Sequence, residues 1–423
     1  MGRWLYSLCL YLALPCALAF LGYRSLREPG YRSNLRQRFG HVKPDGEEPI
    51  WVHAVSVGEV LAAAPMVRRL MARFPERPVL ITTVTPTGAD RVRDLFGEEV
   101  AHRYVPYDLP HMVNRFLSRV QPSILVIMET EVWPNLVHAC DDRGIPVILA
   151  NARLSEKSAT GYSRFAPLAL PPFQKLDWIA AQAEADAERF VSLGARPERV
   201  TVTGSIKYDV RIGNQARAAA AGLRELIGGE RPVWIAASTH DGEEGLVLDA
   251  HCRLLEQYPE ALLVLVPRHP ERFDAVARLV ADRGLVTARR ASGDDPAGAQ
   301  VYLADTMGEL PMLFGCAQAA FMGGSLIARG GHNPLEAAAW SLPVLSGPHV
   351  FNFSSVYQQL STEGGMSFVI GRDDLARELG YFFGHPQVRR VAGTRAGAVM
   401  DANQGALDQL YEGVCWRLAG SFV

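Results

Sequence analysis

The sequence predicts two α/β domains, each built on a parallel sheet that helices cover. Short apolar runs ending in polar or glycine-rich turns alternate with longer segments of helical periodicity, which is the pattern of strand–helix–strand units. This pattern occurs in two series, separated by a charged, alanine-rich stretch near residues 213–232. A chain of 423 residues also exceeds the usual domain size of roughly 100–200 residues. We therefore expect two domains.

The apolar runs give the expected strands in chain order. The first series lies at 49–55, 78–85, 123–130, 146–153 and 199–205, and the second at 232–239, 261–269, 319–326 and 342–347. We expect a first domain at 24–215, a second at 216–400 and a final helix at 401–423. That helix should pack against a domain, because five apolar residues share one of its faces: Leu407, Leu410, Tyr411, Val414 and Leu418.

The N-terminal segment 1–23 is predicted to be a membrane anchor. The run Trp4 to Tyr23 is apolar, carries no charge and is about long enough to cross a hydrocarbon core of ~30 Å. A cleaved signal peptide is the alternative, and Pro15 leaves open whether the segment spans the bilayer or lies in its interface. Only Arg3 and the amino group precede the run, so the positive-inside rule places the following chain in the cytoplasm. The arginines after it are Arg24, Arg27, Arg32, Arg36 and Arg38.

Charge and cysteine usage exclude several functions. The net charge of −2 and the isoelectric point near 6.6 disfavour a dedicated nucleic-acid binder, so an anionic ligand must be met by local charges. The six cysteines are far apart and form no CxxC pair, which argues against a zinc knuckle or a redox motif and fits a reducing compartment.

Ligands of parallel sheets bind beyond the carboxyl ends of the strands, so residues that follow the apolar runs are candidate site residues. In "HAVSVGEV" Glu59 begins a helical pattern, where an acid also stabilises the helix end and where the helix field should lower its pKa. In "METEVWPN" Glu129 and Glu131 are weak candidates for a pair of metal ligands, since no His or Asp stands at useful spacing beside them. Lys207 in "GSIKYD" is a further candidate, with a solvated lysine as the alternative. Gly324 also lies at the end of such a run.

The second series holds a phosphate-binding candidate. In "GGHNPLEAAAW" Asn333 is placed as an N-cap, Pro334 as the first helical residue and Glu336 as the third residue of a capping box. A helix start alone explains these residues, but the preceding glycines allow close approach of a phosphate to backbone N–H groups. Glu336 could accept hydrogen bonds from ribose hydroxyls. Arg268 in "VPRHPERF" ends a strand-like run, with a surface cation as the alternative. The segment "DTMGELP" is a weaker candidate, which an ordinary turn and helix start would also explain.

Taken together, these segments resemble the 3-deoxy-D-manno-octulosonic acid (Kdo) transferases of Gram-negative bacteria. The resemblance runs along nearly the whole chain, through the motifs above and through "TTVTPTG", "NARLSEKS" and "AASTHDGEE". It implies a GT-B glycosyltransferase fold, in which two Rossmann-like domains face a cleft. The first domain would bind the acceptor and the second would bind CMP-Kdo.

The resemblance also implies site roles. Glu59 would be the catalytic base, assisted by Glu129 and Lys207. Kdo would pass with inversion from CMP-Kdo to the lipid A precursor lipid IVA, at the cytoplasmic face of the inner membrane, with no cofactor and no metal. The chain contains no DxD pair. The implied CMP-binding residues are Pro267, Arg268, Met307, Gly308, Glu309, Asn333, Pro334, Leu335 and Glu336.

Two alternatives stay open on the residues alone. One is a related transferase that uses another sugar nucleotide, such as a UDP-linked sugar. The other is a non-catalytic protein that binds envelope lipids through a degenerate site. An acid, a lysine and an arginine at the expected strand ends favour an enzyme.

Overall fold

The structure is a computed structural model that describes residues 2–44, 46–164 and 166–420, and the chain divides into two compact units. The first unit comprises Met1–Asp209 and Gln404–Val423, and the second comprises Val210–Asn403. The boundary thus precedes the alanine-rich helix, whereas the sequence pattern placed it between 215 and 216. The C-terminal segment returns to the first unit.

The first unit is built on a seven-stranded sheet in the order β3-β2-β1-β4-β5-β6-β7, with every pair of neighbours parallel. Its strands are β1 Ile50–His53, β2 Val79–Thr83, β3 Ala101–Tyr104, β4 Ile124–Met128, β5 Val147–Ala152, β6 Trp178–Ala181 and β7 Val200–Val202. Its helices before the boundary are α1 Gly2–Arg27, α2 Leu35–Arg38, α3 Val57–Arg73, α4 Pro86–Phe96, α5 Pro110–Val120, α6 Pro134–Asp141, α7 Glu156–Arg164, α8 Ala166–Gln174 and α9 Glu184–Ser192.

The second unit repeats this plan with a parallel seven-stranded sheet in the order β10-β11-β9-β8-β12-β13-β14. Its strands are β8 Val233–Thr239, β9 Leu262–Pro267, β10 Thr287–Arg289, β11 Val301–Leu303, β12 Ala319–Met322, β13 Val344–Ser346 and β14 Met366–Phe368. Its helices are α10 Asn214–Ile227, α11 Glu244–Gln257, α12 Phe273–Ala281, α13 Leu310–Leu313, α14 Leu335–Ala338, α15 Ser354–Thr362, α16 Gly371–Gly384 and α17 Pro386–Asn403.

The predicted α/β class is confirmed, and all nine predicted strands are present. The central strands are apolar throughout because helices cover both faces of each sheet. In β1, Ile50 and Val52 pack towards Met66 of α3, while Trp51 packs on the opposite face against Phe116 of α5, with 4.9 Å between ring centroids. The strands that the sequence did not predict have three or four residues each: β3, β6, β10, β11 and β14.

The last helix, α18 (Ala406–Gly420), packs on the first unit, although the second unit precedes it in the chain. Leu407, Leu410 and Val414 belong to the same core cluster as β1 and α3, which confirms the predicted packing face. Asp209 fixes the start of this helix, because its carboxylate accepts hydrogen bonds from the N–H groups of Gly405 (2.8 Å) and Leu407 (2.7 Å). The C-terminal helix is therefore part of the first unit's core.

We predict that Leu410→Ala destabilises the first unit by about 2–5 kcal/mol, because Leu410 is 1% exposed and its truncation leaves a cavity in the core. Hydrogen exchange of the β1 and α3 amides would measure the loss, and amides of the second unit should keep their protection. Glu412→Ala on the exposed face of the same helix is the matched control. Equal loss of protection in both units would contradict the assignment of α18 to the first unit.

Candidate active site

The carboxyl ends of β1 and β4 form the switch point of the first sheet. The chain runs from β1 to β2 and β3 on one side and then returns to β4 on the other side. Ligands of open parallel sheets bind where the strand order reverses in this way. Glu59 follows β1 and Glu129 follows β4, so the sheet brings the two predicted carboxylates to the same edge.

Glu59 lies in the first turn of α3, where Ser56 is the N-cap residue. The Ser56 hydroxyl accepts from the Glu59 N–H at 3.3 Å and donates to Glu59 Oε1 at 2.9 Å. Glu59 Oε2 accepts from the Val55 N–H at 2.8 Å. Glu59 therefore does stabilise the start of α3, as an acid at a helix N-terminus is expected to do. The same hydrogen bonds fix the position of its carboxyl at the end of β1.

The predicted direction of the Glu59 pKa shift is wrong. Burial raises the pKa of Glu59 to about 7, because the side chain is only 8% exposed and water is lost from its charged form. The hydrogen bonds from Val55 and Ser56 lower the pKa and oppose this effect, while the negative charges of Glu129 and Glu131 add to it. Desolvation outweighs the stabilisation that the helix end provides.

Glu129 has a left-handed backbone conformation, with φ of 58°, at the end of β4. Its N–H still donates to the Ala150 carbonyl at 2.9 Å, so the sheet pairing holds this conformation. A non-glycine residue pays roughly 1–3 kcal/mol for such a backbone, which is typical of functional positions. Glu131 has a different partner, because its carboxylate accepts a hydrogen bond from the Trp133 indole N–H at 3.0 Å. No cluster of three His, Cys, Asp or Glu suited to a metal occurs in the described parts of the chain.

Lys207 forms an ion pair with Glu129, with 3.4 Å between Nζ and Oε1. It lies in a 3₁₀ turn, Ile206–Tyr208, that follows β7. Asn151 Oδ1 anchors this turn by accepting from the Ile206 N–H at 3.2 Å. Lys207 is thus ion-paired, and its side chain is still 30% exposed. Three of the strand-end candidates, Glu59, Glu129 and Lys207, lie together.

Asn151 is a further candidate site residue, which the sequence reasoning missed. It is 1% exposed, has a φ of 52°, and its Nδ2 has no hydrogen-bond partner within the described residues. A buried donor left unpaired is costly and is typical of a site that acts on a ligand. Its place within a predicted strand run, "PVILANAR", was the signal available in the sequence.

In the second unit, the carboxyl ends of the four neighbouring strands β11, β9, β8 and β12 carry the candidate donor residues. Arg268 follows β9, and its N–H donates to the Thr239 carbonyl at 2.9 Å. Burial raises the pKa of Glu336 to about 7, and the positive charge of Arg268 opposes that rise. The charge of Arg268 is therefore close enough to Glu336 to affect its ionisation.

Two histidines that the sequence reasoning did not single out lie beside Arg268. His240, directly after β8, and His332 have parallel rings with their Nε2 atoms 2.8 Å apart. His269 packs edge-on against His240 with 5.2 Å between ring centroids. Burial first, and neighbouring cations next, lower the pKa of both His240 and His332 to about 4. The pair is thus neutral at pH 7, with one ring donating and the other accepting.

A buried carboxylate occupies the glycine-rich turn after β12. Glu243 is fully buried and accepts from the N–H groups of Gly324 (2.7 Å), Ser325 (3.1 Å) and Leu326 (3.0 Å). These three N–H groups would otherwise suit an anionic ligand. Gly324, a candidate from the sequence, therefore serves the internal structure of the loop.

The predicted helix at Asn333 begins one residue later than the sequence indicated. It comprises Leu335–Ala338, with Pro334 in the cap position, and Asn333 Oδ1 accepts from the Leu335 N–H at 3.2 Å. The capping box is wrong, because Glu336 makes no return hydrogen bond to Asn333 in the described structure. One turn of helix carries little dipole, so fewer aligned N–H groups are available here than a long helix would supply.

The turn at Met307–Glu309 precedes α13. Met307 is 61% exposed, and Gly308 has a φ of 83°, a conformation that favours glycine. The Glu309 carboxylate is bound by Arg290, at 2.7 Å and 3.1 Å, and by the Thr306 hydroxyl. These bonds order the turn, while Met307 stays accessible.

Sequence comparisons identify the relatives of the chain. Residues 33–210 match the family model of 3-deoxy-D-manno-octulosonic-acid transferase (kdotransferase), which spans most of the first unit. A 3-deoxy-D-manno-octulosonic acid transferase of Haemophilus influenzae is 40% identical over 417 residues, which is 97% of this chain and 98% of the relative. A transferase of the same description from Bordetella pertussis is 36% identical and covers 86% of this chain and 87% of its own.

A solved structure agrees on the fold. UDP-GlcNAc 2-epimerase from Neisseria meningitidis bound to UDP-GlcNAc aligns over 88% of this chain and all of its own, with a TM-score of 0.55 and 14% identity. At this identity the likeness shows the fold alone, and it confirms the predicted GT-B class. The sequence relatives settle the family, since their identity extends over both units. The chain belongs to the 3-deoxy-D-manno-octulosonic acid (Kdo) transferase family.

Proposed function

We propose that this Kdo transferase uses CMP-Kdo as donor and the lipid A precursor lipid IVA as acceptor, and that it inverts the anomeric centre. The reaction belongs to the assembly of the lipopolysaccharide core at the cytoplasmic face of the bacterial inner membrane. One observation supports the proposal above the others. The structure brings a carboxyl with a pKa of about 7, Glu59, to the same sheet edge as the Glu129–Lys207 ion pair.

Glu59 is the proposed catalytic base. A sugar hydroxyl attacks well only if it loses its proton in the transition state, and a positioned base typically contributes roughly 10²–10⁴-fold. A carboxyl with a pKa of about 7 is half ionised at neutral pH and is a stronger base than an exposed one. The two hydrogen bonds from Val55 and Ser56 leave each carboxylate oxygen with a second lone pair for the acceptor hydroxyl.

Glu129 and Lys207 are proposed to assist at the reacting sugar. Kdo carries a carboxylate close to its anomeric carbon, and a fixed cation would bind that charge. The ion pair with Glu129 holds the Lys207 ammonium at the sheet edge, and the sheet pairing of Glu129 keeps the pair in place. Because Lys207 is about 30% exposed, a ligand can reach it.

The second unit supplies the proposed CMP site. Arg268 would meet the single phosphate, and the loop from Asn333 to Glu336 would approach it with its backbone. The Glu336 carboxyl makes no hydrogen bond among the described residues, so it suits a ribose hydroxyl as partner. Pro267 is the last residue of β9, and the Met307–Glu309 turn follows the adjacent strand β11. Both would border the nucleoside.

A direct assay separates this proposal from a UDP-sugar transferase and from a lipid-binding protein. Purified protein is incubated with lipid IVA and either CMP-Kdo or UDP-linked sugars, and the product is weighed by mass spectrometry. We expect a mass increase by whole Kdo units with CMP-Kdo alone. A product from a UDP-sugar only, or none from any donor, would overturn the proposal.

We predict that Glu59→Gln lowers turnover by at least ~10²-fold while CMP binding stays near normal, because glutamine keeps the shape of the side chain but has no basicity. Ser56→Ala is the matched variant. It removes the cap and one hydrogen bond to the same carboxyl but leaves the base, so it should lose about 1 kcal/mol of stability and little turnover. Full turnover in Glu59→Gln would move the base elsewhere, with Glu129 the next candidate.

The raised pKa of Glu59 predicts a pH-dependent stability. Glutamate ionises near pH 4.5 in the unfolded chain and near pH 7 in the folded one, so a pH rise through this window favours the unfolded state. Glu59→Gln removes this penalty. Relative to the unaltered protein, the variant should therefore gain stability from pH 4.5 to 7, on the order of 2–3 kcal/mol in total.

Urea denaturation followed by hydrogen exchange in β1 and α3, at pH 5 and pH 8, would measure this difference. Glu98→Gln, on the exposed surface of the same unit, is the control and should show none. A difference between variant and unaltered protein that is equal at both pH values would mean that Glu59 titrates normally in the fold.

We predict that Arg268→Ala weakens CMP binding by about 10- to 100-fold, which corresponds to the loss of a charge-assisted hydrogen bond. Binding of cytidine, which lacks the phosphate, should not change, and calorimetry with both ligands would show this. Arg278→Ala on the exposed side of α12 is the control. Equal weakening of CMP and cytidine would assign Arg268 to the nucleoside or to the fold.

A further inference from the structure

The N-terminal helix α1 is docked along the first unit, and we propose that it lies in the plane of the membrane, between one lipid leaflet and this unit, without crossing the bilayer. The inference rests on the proposed membrane location. By length and composition α1 could also cross, since its mean hydropathy reaches 1.9 over 18 residues. Its contacts decide between the two arrangements.

The beginning of α1 is bound to the folded core of the first unit. Asn135 of α6, which is fully buried, accepts from Arg3 Nε at 3.0 Å and donates to the Ser7 hydroxyl at 3.1 Å. The Tyr6 hydroxyl donates to the buried carboxylate of Asp108 at 3.0 Å. Asp108 in turn accepts from the first N–H groups of α6, so the helix start is part of an internal hydrogen-bond network.

The end of α1 is bound to the same unit. Ser25 is 6% exposed and accepts from Arg32 Nε at 3.1 Å. Arg24 lies over the ring of Tyr31, which is 5% exposed, at 4.4 Å from its centroid. From Ser7 to Ser25 the helix rises ~27 Å, close to the full hydrocarbon thickness of ~30 Å. A crossing helix would place these two ends on opposite sides of the bilayer, but one folded unit binds both.

The two long faces of α1 have different neighbours. Residues at helical spacing on one face are shielded by the first unit, among them Ser7, Leu10, Leu14 and Leu21. The opposite face is exposed and carries no charge. Large apolar side chains dominate that face, including Trp4 (70% exposed), Leu8 (39%), Leu12 (71%) and Phe20 (63%).

Eight of the 22 exposed large hydrophobic residues in the described chain lie on this one helix. An in-plane helix usually turns a polar face away from the lipid. Here the protein covers that face, so the helix can be apolar all round.

The charges beside this face fit an anionic lipid surface. Arg24, Arg27, Arg32 and Arg36 are exposed at the end of the helix and just after it. Such cations are attracted to the negative surface of an anionic leaflet. Arg38, which the sequence placed in the same group, is not available, because it is 4% exposed and donates to the Val84 carbonyl at 2.8 Å. The apolar face of α1 therefore matches the hydrocarbon of a bilayer, and the arginines at its end match anionic headgroups.

The test locates the chain start relative to the bilayer. Full-length Gly2→Cys, carrying Cys9→Ala and Cys16→Ala, is expressed in cells and treated with a membrane-impermeant maleimide in intact spheroplasts and in inside-out vesicles. The same chain without Gly2→Cys corrects for the remaining cysteines. We expect position 2 to be labelled only in inside-out vesicles. Labelling in intact spheroplasts would overturn the in-plane placement and leave the enzymatic proposal untouched.

Two further measurements separate the remaining outcomes. Ser7→Cys with Asn135→Cys should form an oxidant-induced cross-link in isolated membranes, and Ser7→Cys alone should not. Leu8→Glu with Leu12→Glu should lose flotation with anionic phospholipid vesicles at least 10-fold, whereas Leu226→Glu, exposed in the second unit, should float normally. Unchanged flotation of the Leu8→Glu, Leu12→Glu variant would overturn the contact of this face with lipid. If the protein did not sediment with cell membranes, both the proposed membrane location and the in-plane placement of α1 would be overturned.

Discussion

Parallel pairing of β1 with β4 is the constraint on which the candidate active site depends. The carboxyl ends of parallel strands lie at the same edge of a sheet. The register that pairs His53 with Ile127 therefore also sets where Glu59 and Glu129 lie along the strand direction. The pairing of β4 with β5 adds Asn151, and the turn that Asn151 holds adds Lys207. Residues separated by about 150 positions in the chain meet because of the sheet, not because of any local motif.

Burial then sets the chemistry of two carboxyls at the candidate sites, Glu59 and Glu336, for which no ion pair occurs among the described residues. Glu59 and Glu336 each reach a pKa of about 7, and in each case loss of water is the largest cause. Glu309 shows the contrast, because two hydrogen bonds from Arg290 lower its pKa. A carboxyl held near neutrality can exchange a proton or share one with a hydroxyl, whereas one fixed by arginine orders a loop. Keeping a buried carboxyl near its pKa lowers the stability of the folded protein at neutral pH.

Local pattern was enough to predict the architecture and the strand-end residues. Runs such as "SILVIMET" are long and apolar, so they are recognisable without tertiary information, while β11, with three residues, is not. Glu59, Glu129 and Lys207 could be singled out from their place after such runs. Their mutual contacts could not, since the ion pair joins positions 129 and 207.

The sign of the Glu59 pKa shift escaped prediction because it depends on how much water the fold removes, which no sequence pattern records. The pairing of His240 with His332 escaped prediction because it joins positions 92 apart in the chain.

The electrostatics of the second unit bear on which nucleotide the proposed donor site suits. The N–H groups of the turn after β12 are occupied by Glu243, and the His240–His332 pair is neutral. Arg272, the next cation after β9, is bound by Asp241 at 2.8 Å and by Glu244 at 3.1 Å. Arg268 is therefore the chief positive charge beside Glu336. One cation balances the single phosphate of a nucleoside monophosphate, whereas a diphosphate would bring a second charge to N–H groups that the protein already uses.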